Sequence, residues 1–262
     1  MLPVALTIAG SDPSGGAGLQ ADLKTFHTHR VYGMAAITLL TVQNTRGVSA
    51  VQLVEPQLIA DQICAVFADI PPLAIKTGAI GAAPQVEAVV SALSQHADVP
   101  LVVDPVCLSK TQAELLDSAG RAALMQRLLP RAALVTPNLD EARLLLGRAL
   151  ETPEEIAAAA RELVDLGAGA ALIKGGHRVG EPIDVLYTGS ELIELRAERV
   201  PTQHTHGAGC TLAAAITSRL AEGRALPEAC ALAKLWVTRA LASAPGLGGG
   251  QGPLNHWATL PE

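Results

Sequence analysis

Aromatic side chains are scarce in this sequence, with two Phe, two Tyr and two Trp among 262 residues. Ala, Leu, Val and Ile must fill the interior, and a hydrophobic content of 49% is ample for that. Charge is sparse too, at 17% of residues, with a net of −6 and no basic run. That balance excludes nucleic acid as the main partner, so any anionic ligand must be held by local donors rather than by the overall field. The four cysteines, at 64, 107, 210 and 230, form no CxxC pair, which removes zinc ribbons and thioredoxin-type redox sites. No apolar run approaches the roughly 20 residues needed to cross a bilayer. The start has no charged segment followed by the apolar core of a secretory signal. A cytoplasmic protein with reduced thiols and no membrane partner is expected. Neither GxxxxGK[ST] nor GxSxG occurs, which excludes a P-loop and the common serine-hydrolase arrangement.

What is present is a regular alternation. Short apolar or β-branched runs at 4–9, 35–41, 73–76, 101–104, 133–136, 170–174 and 183–187 read as strands. Stretches of helical period lie between and after them, at about 17–29, 56–68, 84–96, 113–128, 139–146, 153–166, 209–222 and 227–243. The helix at 153 is the best signalled: Thr152 caps it, Pro153 suits its first turn and Glu155 completes a capping box. Gly167 and Gly223 stand where helix C-terminal glycines belong. Strands buried on both faces and separated by helices imply an α/β fold, with a mostly parallel central sheet and helices on both faces. No repeat or linker divides the chain, so residues 1–262 are expected as a single domain, with 244–253 its most flexible-looking stretch. Right-handed crossovers place ligand sites at the carboxyl ends of the strands. The polar and glycine-rich segments 10–18, 104–110, 136–141 and 175–177 fall there.

The first of these joins a strand to a helix. Gly16 to Ala21 fit the dinucleotide fingerprint by letter, yet that reading needs an acidic residue about 20 positions on. None occurs from Leu23 to Val54, so a dehydrogenase is set aside. The glycines either let a small ligand approach the backbone or serve only as a turn. Gly207-Ala208-Gly209-Cys210 leads into the small-residue helix around Ala213-Ala214-Ala215. Glycines ahead of a helix leave N–H groups unpaired with the positive helix end behind them, an anion hole without a side chain. The same dipole favours a thiolate in the first turn. Cys210 is therefore singled out, and the other three cysteines are read as packing residues.

Asp104 ends a very apolar strand, while Asn138 and Glu141 lie three apart at a helix start and hence on one face. Carboxylates at strand ends among phosphate-binding elements suit Mg²⁺, although Asn138 and Glu141 also fit an ordinary capping box. Lys174-Gly175-Gly176-His177 offers a cation beside flexible backbone, suited to phosphate. The pairs His27/His29 and His204/His206 have no carboxylate at metal spacing and read as surface or hydrogen-bonded core residues.

Taken in order, AGSDPSGGAGLQADLKTF, TVQNTRGV, VVDPV, TPNLDEA, IKGGH and THGAGCTL resemble the hydroxymethylpyrimidine/phosphomethylpyrimidine kinases, the thiamine-pathway branch of the ribokinase-like family. The tail from Gly252 to Trp257 does so too, and the resemblance runs from about residue 4 to 257. It implies a ribokinase-like three-layer sandwich, a homodimer, and ATP and Mg²⁺ as cofactors. The implied reaction phosphorylates 4-amino-5-hydroxymethyl-2-methylpyrimidine to its monophosphate and then to the pyrophosphate. By the family pattern Gln43 pairs with the pyrimidine edge, and Gly10, the Ala17 backbone, Asp22, Ala79 and Val106 line the pocket. Asn138 and Glu141 match the family's NxxE, serving Mg²⁺ and phosphate, with Asp104 a further metal carboxylate. Lys174 and Thr205 are placed at the ATP phosphates. Cys210 matches the catalytic cysteine, backed by Gly207, Ala208 and Gly209.

Two departures from the family pattern stand out. THGAGC replaces the usual THGTGC, removing a hydroxyl at Ala208, and Ala79 and Cys107 are smaller than the residues usual there, which widens the pocket. The nearest alternative is a pyridoxal kinase of the same cysteine-bearing type. A non-catalytic pyrimidine sensor is the next, and Cys210, Asp104 and Glu141 argue against it. Cys210 is expected to act as a base in the first transfer and to matter less in the second, whose nucleophile is already an ionised phosphate.

Overall fold

The computed structural model describes residues 2–109, 114–176 and 181–261. His177, Lys110 and the first residue of the helix expected at 113–128 lie outside the described residues. The first half of the chain forms β1 (Val4–Ser11), α1 (Gly18–Thr28), β2 (Tyr32–Asn44), β3 (Gly47–Leu53), α2 (Pro56–Asp69), β4 (Ala74–Thr77), α3 (Ala83–Ala92) and β5 (Leu101–Val103). The second half forms α4 (Ser118–Ala123), β6 (Leu134–Val135), α5 (Leu139–Leu146), α6 (Pro153–Asp165), β7 (Ala171–Ile173), β8 (Asp184–Tyr187), β9 (Leu192–Leu195), α7 (Ala208–Ala221) and α8 (Leu226–Ala242).

The nine strands of the described residues join one sheet in the order β3-β2-β1-β4-β5-β6-β7-β8-β9. From β2 to β7 the pairings are parallel, and β3, β8 and β9 add antiparallel margins. Successive strand side chains point to opposite faces, and here they sort cleanly by parity. Leu6, Ile8, Ile75, Val103, Val135 and Ile173 enter one core, with Ile59 and Ile63 of α2, Val86 of α3 and Leu163 of α6. Their neighbours Ala5, Ala74, Val102, Leu134 and Leu172 face the other way, toward α1, α7 and α8. The result is three layers, helix–sheet–helix. α7 is buried all round from Thr211 to Ser218, and its alanines allow that close approach.

β1 pairs with β2 on one side and β4 on the other, both parallel. The winding direction therefore reverses at β1, and a crevice opens beyond its carboxyl end. Both expected helix signals hold: Thr152 and Glu155 form a reciprocal capping box, and Gly167 and Gly223 have φ of +117° and +82°. Two strands carry no sequence signal. β3 is exposed along most of its length and β9 along much of its own, so neither shows the apolar run that marks a buried strand. The helix expected over 113–128 begins, within the described residues, only at Ser118, where Asp117 caps Gly120 N at 2.6 Å. The stretch 244–253 is anchored rather than loose: Gln251 N–H donates to Thr45 O at 2.9 Å and Gly252 N–H to His204 Nδ1 at 3.2 Å. All four cysteines are free thiols. Cys107 and Cys230 pack inside, whereas Cys64 is exposed on α2, contrary to its reading as a packing residue. Among the described residues no helix is long and apolar enough to cross a membrane.

Candidate active site

A cavity of about 460 Å³ occupies the crevice at the strand carboxyl ends. Its floor is made by two glycine-rich loops packed back to back. The loop after β1 is organised by Asp12, whose carboxylate accepts from the backbone N–H of Ser14, Gly16 and Ala17 and from Ser14 Oγ. Asp12 also lies 2.8 Å from His206 Nε2, on the loop that leads into α7. Burial opposes ionisation of Asp12, but the bonds from His206 and Ser14 outweigh it and hold the carboxyl at about 2. The loops fit only because both lack side chains at the crossing: a Cβ on Gly207 would overlap Gly16 O, and one on Gly16 would overlap the His206 ring. Gly10 is likewise pressed against the Leu39 side chain.

Gly207, with φ +79°, turns the chain into α7, which has no side-chain cap. Thr211 N–H already bonds Gly207 O and Ala208 N–H bonds Thr205 O. Among the described residues the N–H groups of Gly209 and Cys210 have no backbone acceptor, so the anion hole is narrower than the sequence motif suggests. The Cys210 thiol differs from expectation. Burial pushes it up to about 11, with Asp104 and Asp22 adding to the rise and Lys76 opposing it. The helix start does not overcome that desolvation.

A lysine held between two carboxylates stands beside the helix start. Lys174 Nζ lies 2.8 Å from Asp104 Oδ1 and 3.8 Å from Glu141 Oε2. Burial works against the charged lysine, but Asp104 and Glu141 hold it above its ordinary value. Burial pushes the Glu141 carboxyl up to about 7, with Lys174 pulling down and Asp104 pushing further up. Asn138 and Glu141 do form the reciprocal capping box of α5, each bonding the other's backbone N–H at 2.8 Å, while both also line the cavity. The cap and the site are one structure.

Gln43, Gly10, Ala17, Ala79, Val106 and Thr205 line the cavity as well, so the expected residues converge with one exception. Asp22 is not in the lining. It lies fully buried beneath the cavity, where its Oδ2 accepts from Lys76 Nζ at 2.8 Å and Thr7 Oγ1 at 2.6 Å. α1 turns Asp22 inward to neutralise Lys76, and Lys76 itself reaches the cavity wall. Despite burial, Asp22, with Asp104, keeps Lys76 above its ordinary value and hence charged. Removing one partner of such a pair strands the other's charge, at a cost of about 3–5 kcal/mol. Asp22→Asn is therefore expected to lower the thermal midpoint sharply, and Asp22→Leu with Lys76→Met to recover most of it. A melting curve unmoved by Asp22→Asn would show that the pair does not support the fold.

Lys76, Asp12 and His206 carry little sequence signal. Lys76 is one polar residue in an apolar strand, and His206 belongs to a histidine pair that otherwise reads as ordinary hydrogen-bonded core. Val200, Thr202, Val237, Thr238 and Leu241 also line the cavity and belong to no motif.

A family profile described as phosphomethylpyrimidine kinase matches residues 12–255. A hydroxymethylpyrimidine/phosphomethylpyrimidine kinase of Synechococcus elongatus is 45% identical over 261 residues, covering 99% of both chains. Among solved structures, an ADP complex of Bacillus subtilis pyridoxal kinase superposes with a TM-score of 0.90 at 36% identity, covering 98% of each chain. A phosphomethylpyrimidine kinase of Clostridium difficile gives a TM-score of 0.80 at 40% identity, covering 90% of this chain and 97% of that one.

Proposed function

This chain belongs to the phosphomethylpyrimidine kinase family, and we propose that its cavity catalyses two successive ATP-dependent phosphorylations, of 4-amino-5-hydroxymethyl-2-methylpyrimidine and then of its monophosphate, for thiamine biosynthesis. One juxtaposition carries the reading. An amide that can pair with a heterocycle edge, Gln43, shares a single cavity with an uncapped helix start bearing Cys210 and with Lys174. Ring, hydroxymethyl group and triphosphate can then lie in line across the cavity.

Phosphoryl transfer is mostly positioning and charge stabilisation. The Gly209 and Cys210 N–H groups face the migrating phosphoryl group, and each donor of this kind is worth about 10²–10³-fold. Lys174 neutralises phosphate charge beside them, and Val200, Val237 and Leu241 form the apolar end for the nucleotide base. In its thiolate form, Cys210 takes the hydroxyl proton in the first transfer. Among the described residues no group of three ligating side chains forms a protein cage for a metal. Two carboxylates on the wall fit Mg²⁺, which is held mainly by phosphates and water, so Asp104 and Glu141 would hold it. When bound, that ion supplies further neutralisation of phosphate charge.

A pyridoxal kinase is the second reading, favoured by the small Ala79 and Cys107 in the lining and by the likeness to the Bacillus subtilis enzyme. Incubation with Mg-ATP and, separately, hydroxymethylpyrimidine, its monophosphate and pyridoxal, with products identified by mass, decides between them. Both pyrimidine phosphates are expected, with pyridoxal slow. Pyridoxal phosphate forming fastest would overturn the assignment.

A further inference from the structure

Gln43 sits half-buried on β2 with its amide between two neighbours, His206 Nε2 at 3.3 Å from its nitrogen and Thr41 Oγ1 at 3.2 Å from its oxygen. Both neighbours have their protons committed elsewhere. Thr41 Oγ1 donates to Ser11 O at 2.9 Å, so it has only lone pairs to offer Gln43. His206 Nε2 lies 2.8 Å from Asp12 Oδ2, an ionised acceptor also fixed by the loop N–H groups, so that nitrogen carries a proton. The group beside Thr41 must therefore donate, and the group beside His206 must not, because a protonated ring nitrogen has no lone pair to offer. Only one amide orientation meets both demands, with NH₂ toward Thr41 and oxygen toward His206. The opposite orientation sets donor against donor and acceptor against acceptor.

We infer that His206 and Thr41 are positioning residues that pin the Gln43 amide in one orientation and thereby set which pyrimidine edge the site accepts. The inference rests on the pyrimidine-kinase reading. The pinned amide keeps one N–H and one oxygen lone pair for a ligand, in a fixed order. A 4-aminopyrimidine edge offers an exocyclic donor beside a ring-nitrogen acceptor. A 4-oxopyrimidine edge offers an acceptor beside a ring N–H donor, the reverse order. The ring cannot turn over to compensate, because its hydroxymethyl group must reach the helix start at Cys210. A freely turning amide would serve both edges, as glutamine does in solution, whereas a pinned one serves only the amino edge. Leaving both polar groups mismatched is expected to cost about 10²-fold in kcat/KM.

The test compares kcat/KM for the 4-amino substrate and its 4-oxo counterpart in the native chain, in His206→Phe and in Thr41→Val. The native chain is expected to prefer the amino compound by about 10²-fold, and each variant to narrow that ratio by about tenfold. Thr41→Val keeps the side-chain shape and serves if His206→Phe fails to fold. A general loss of fit lowers both substrates alike and leaves the ratio unmoved. An unchanged ratio in the folded variants, or a native chain that accepts both edges equally, overturns the pin alone. A native chain that phosphorylates neither pyrimidine overturns the substrate reading and the pin with it.

Discussion

Raising the pH from 7 to 9 is expected to speed the first phosphorylation by up to about 50-fold, and to leave the second nearly unchanged. Burial holds the Cys210 thiol near 11. Below that value the thiolate, the only form able to accept a proton, grows tenfold with each pH unit, from about 10⁻⁴ of the molecules at pH 7. A general base is worth about 10²–10⁴-fold when fully available, so at pH 7 scarcity cancels all of that gain, and at pH 9 about 1–100-fold of it remains. The size of the loss in Cys210→Ala at pH 7 is thus a poor guide to the role. The slope decides. In Cys210→Ala the first transfer should lose its rise with pH, while the second, whose nucleophile ionises with a pKa of about 6, should lack that rise in both proteins. Glu141 also changes charge near pH 7, but it serves both transfers and alters them together. Parallel pH profiles for the two steps would overturn the base role and leave Cys210 as a shaping residue of the anion hole.

Gly207→Ala is expected to lower both transfers by about 10²–10³-fold, the loss associated with removing an oxyanion-type donor. Two independent constraints meet at this position. Its φ of +79° is one that side-chain-bearing residues rarely adopt, and a Cβ there would overlap Gly16 O of the opposing loop. Relief of that overlap moves the start of α7 away from the loop after β1, and with it the N–H groups of Gly209 and Cys210. Gly223→Ala is the matched control. It has nearly the same φ, +82°, with open space around it. It should therefore carry only the strain of the left-handed conformation, about 1–2 kcal/mol, without loss of rate in the folded enzyme. Initial rates at saturating substrate, with a melting curve for each variant, separate the two effects. Near-native rates in folded Gly207→Ala would mean that the loop crossing does not set the anion hole.

Features that depend on chain neighbours are legible in the sequence alone. Apolar runs at 4–9 and 101–104 became inner strands because alternate residues are buried on opposite faces whatever they pack against. Thr152 and Glu155, or Asn138 and Glu141, can cap a helix because they lie three residues apart. Parallel winding then brought the strand-end segments to one cavity, which is why nearly every expected site residue lines it. Tertiary structure decided the rest. Asp22 lies near a glycine motif, yet only the packing of α1 against β1 and α7 turns it down to Lys76 and out of the pocket. His206 and Asp12 are 194 residues apart, and no local pattern announces their bond. β3 has no apolar period because as an edge strand it is largely exposed. The helix position of Cys210 alone predicts a thiolate, and the fold overrules it for the same reason: the dipole is written locally, but desolvation depends on what the whole fold stacks around the thiol.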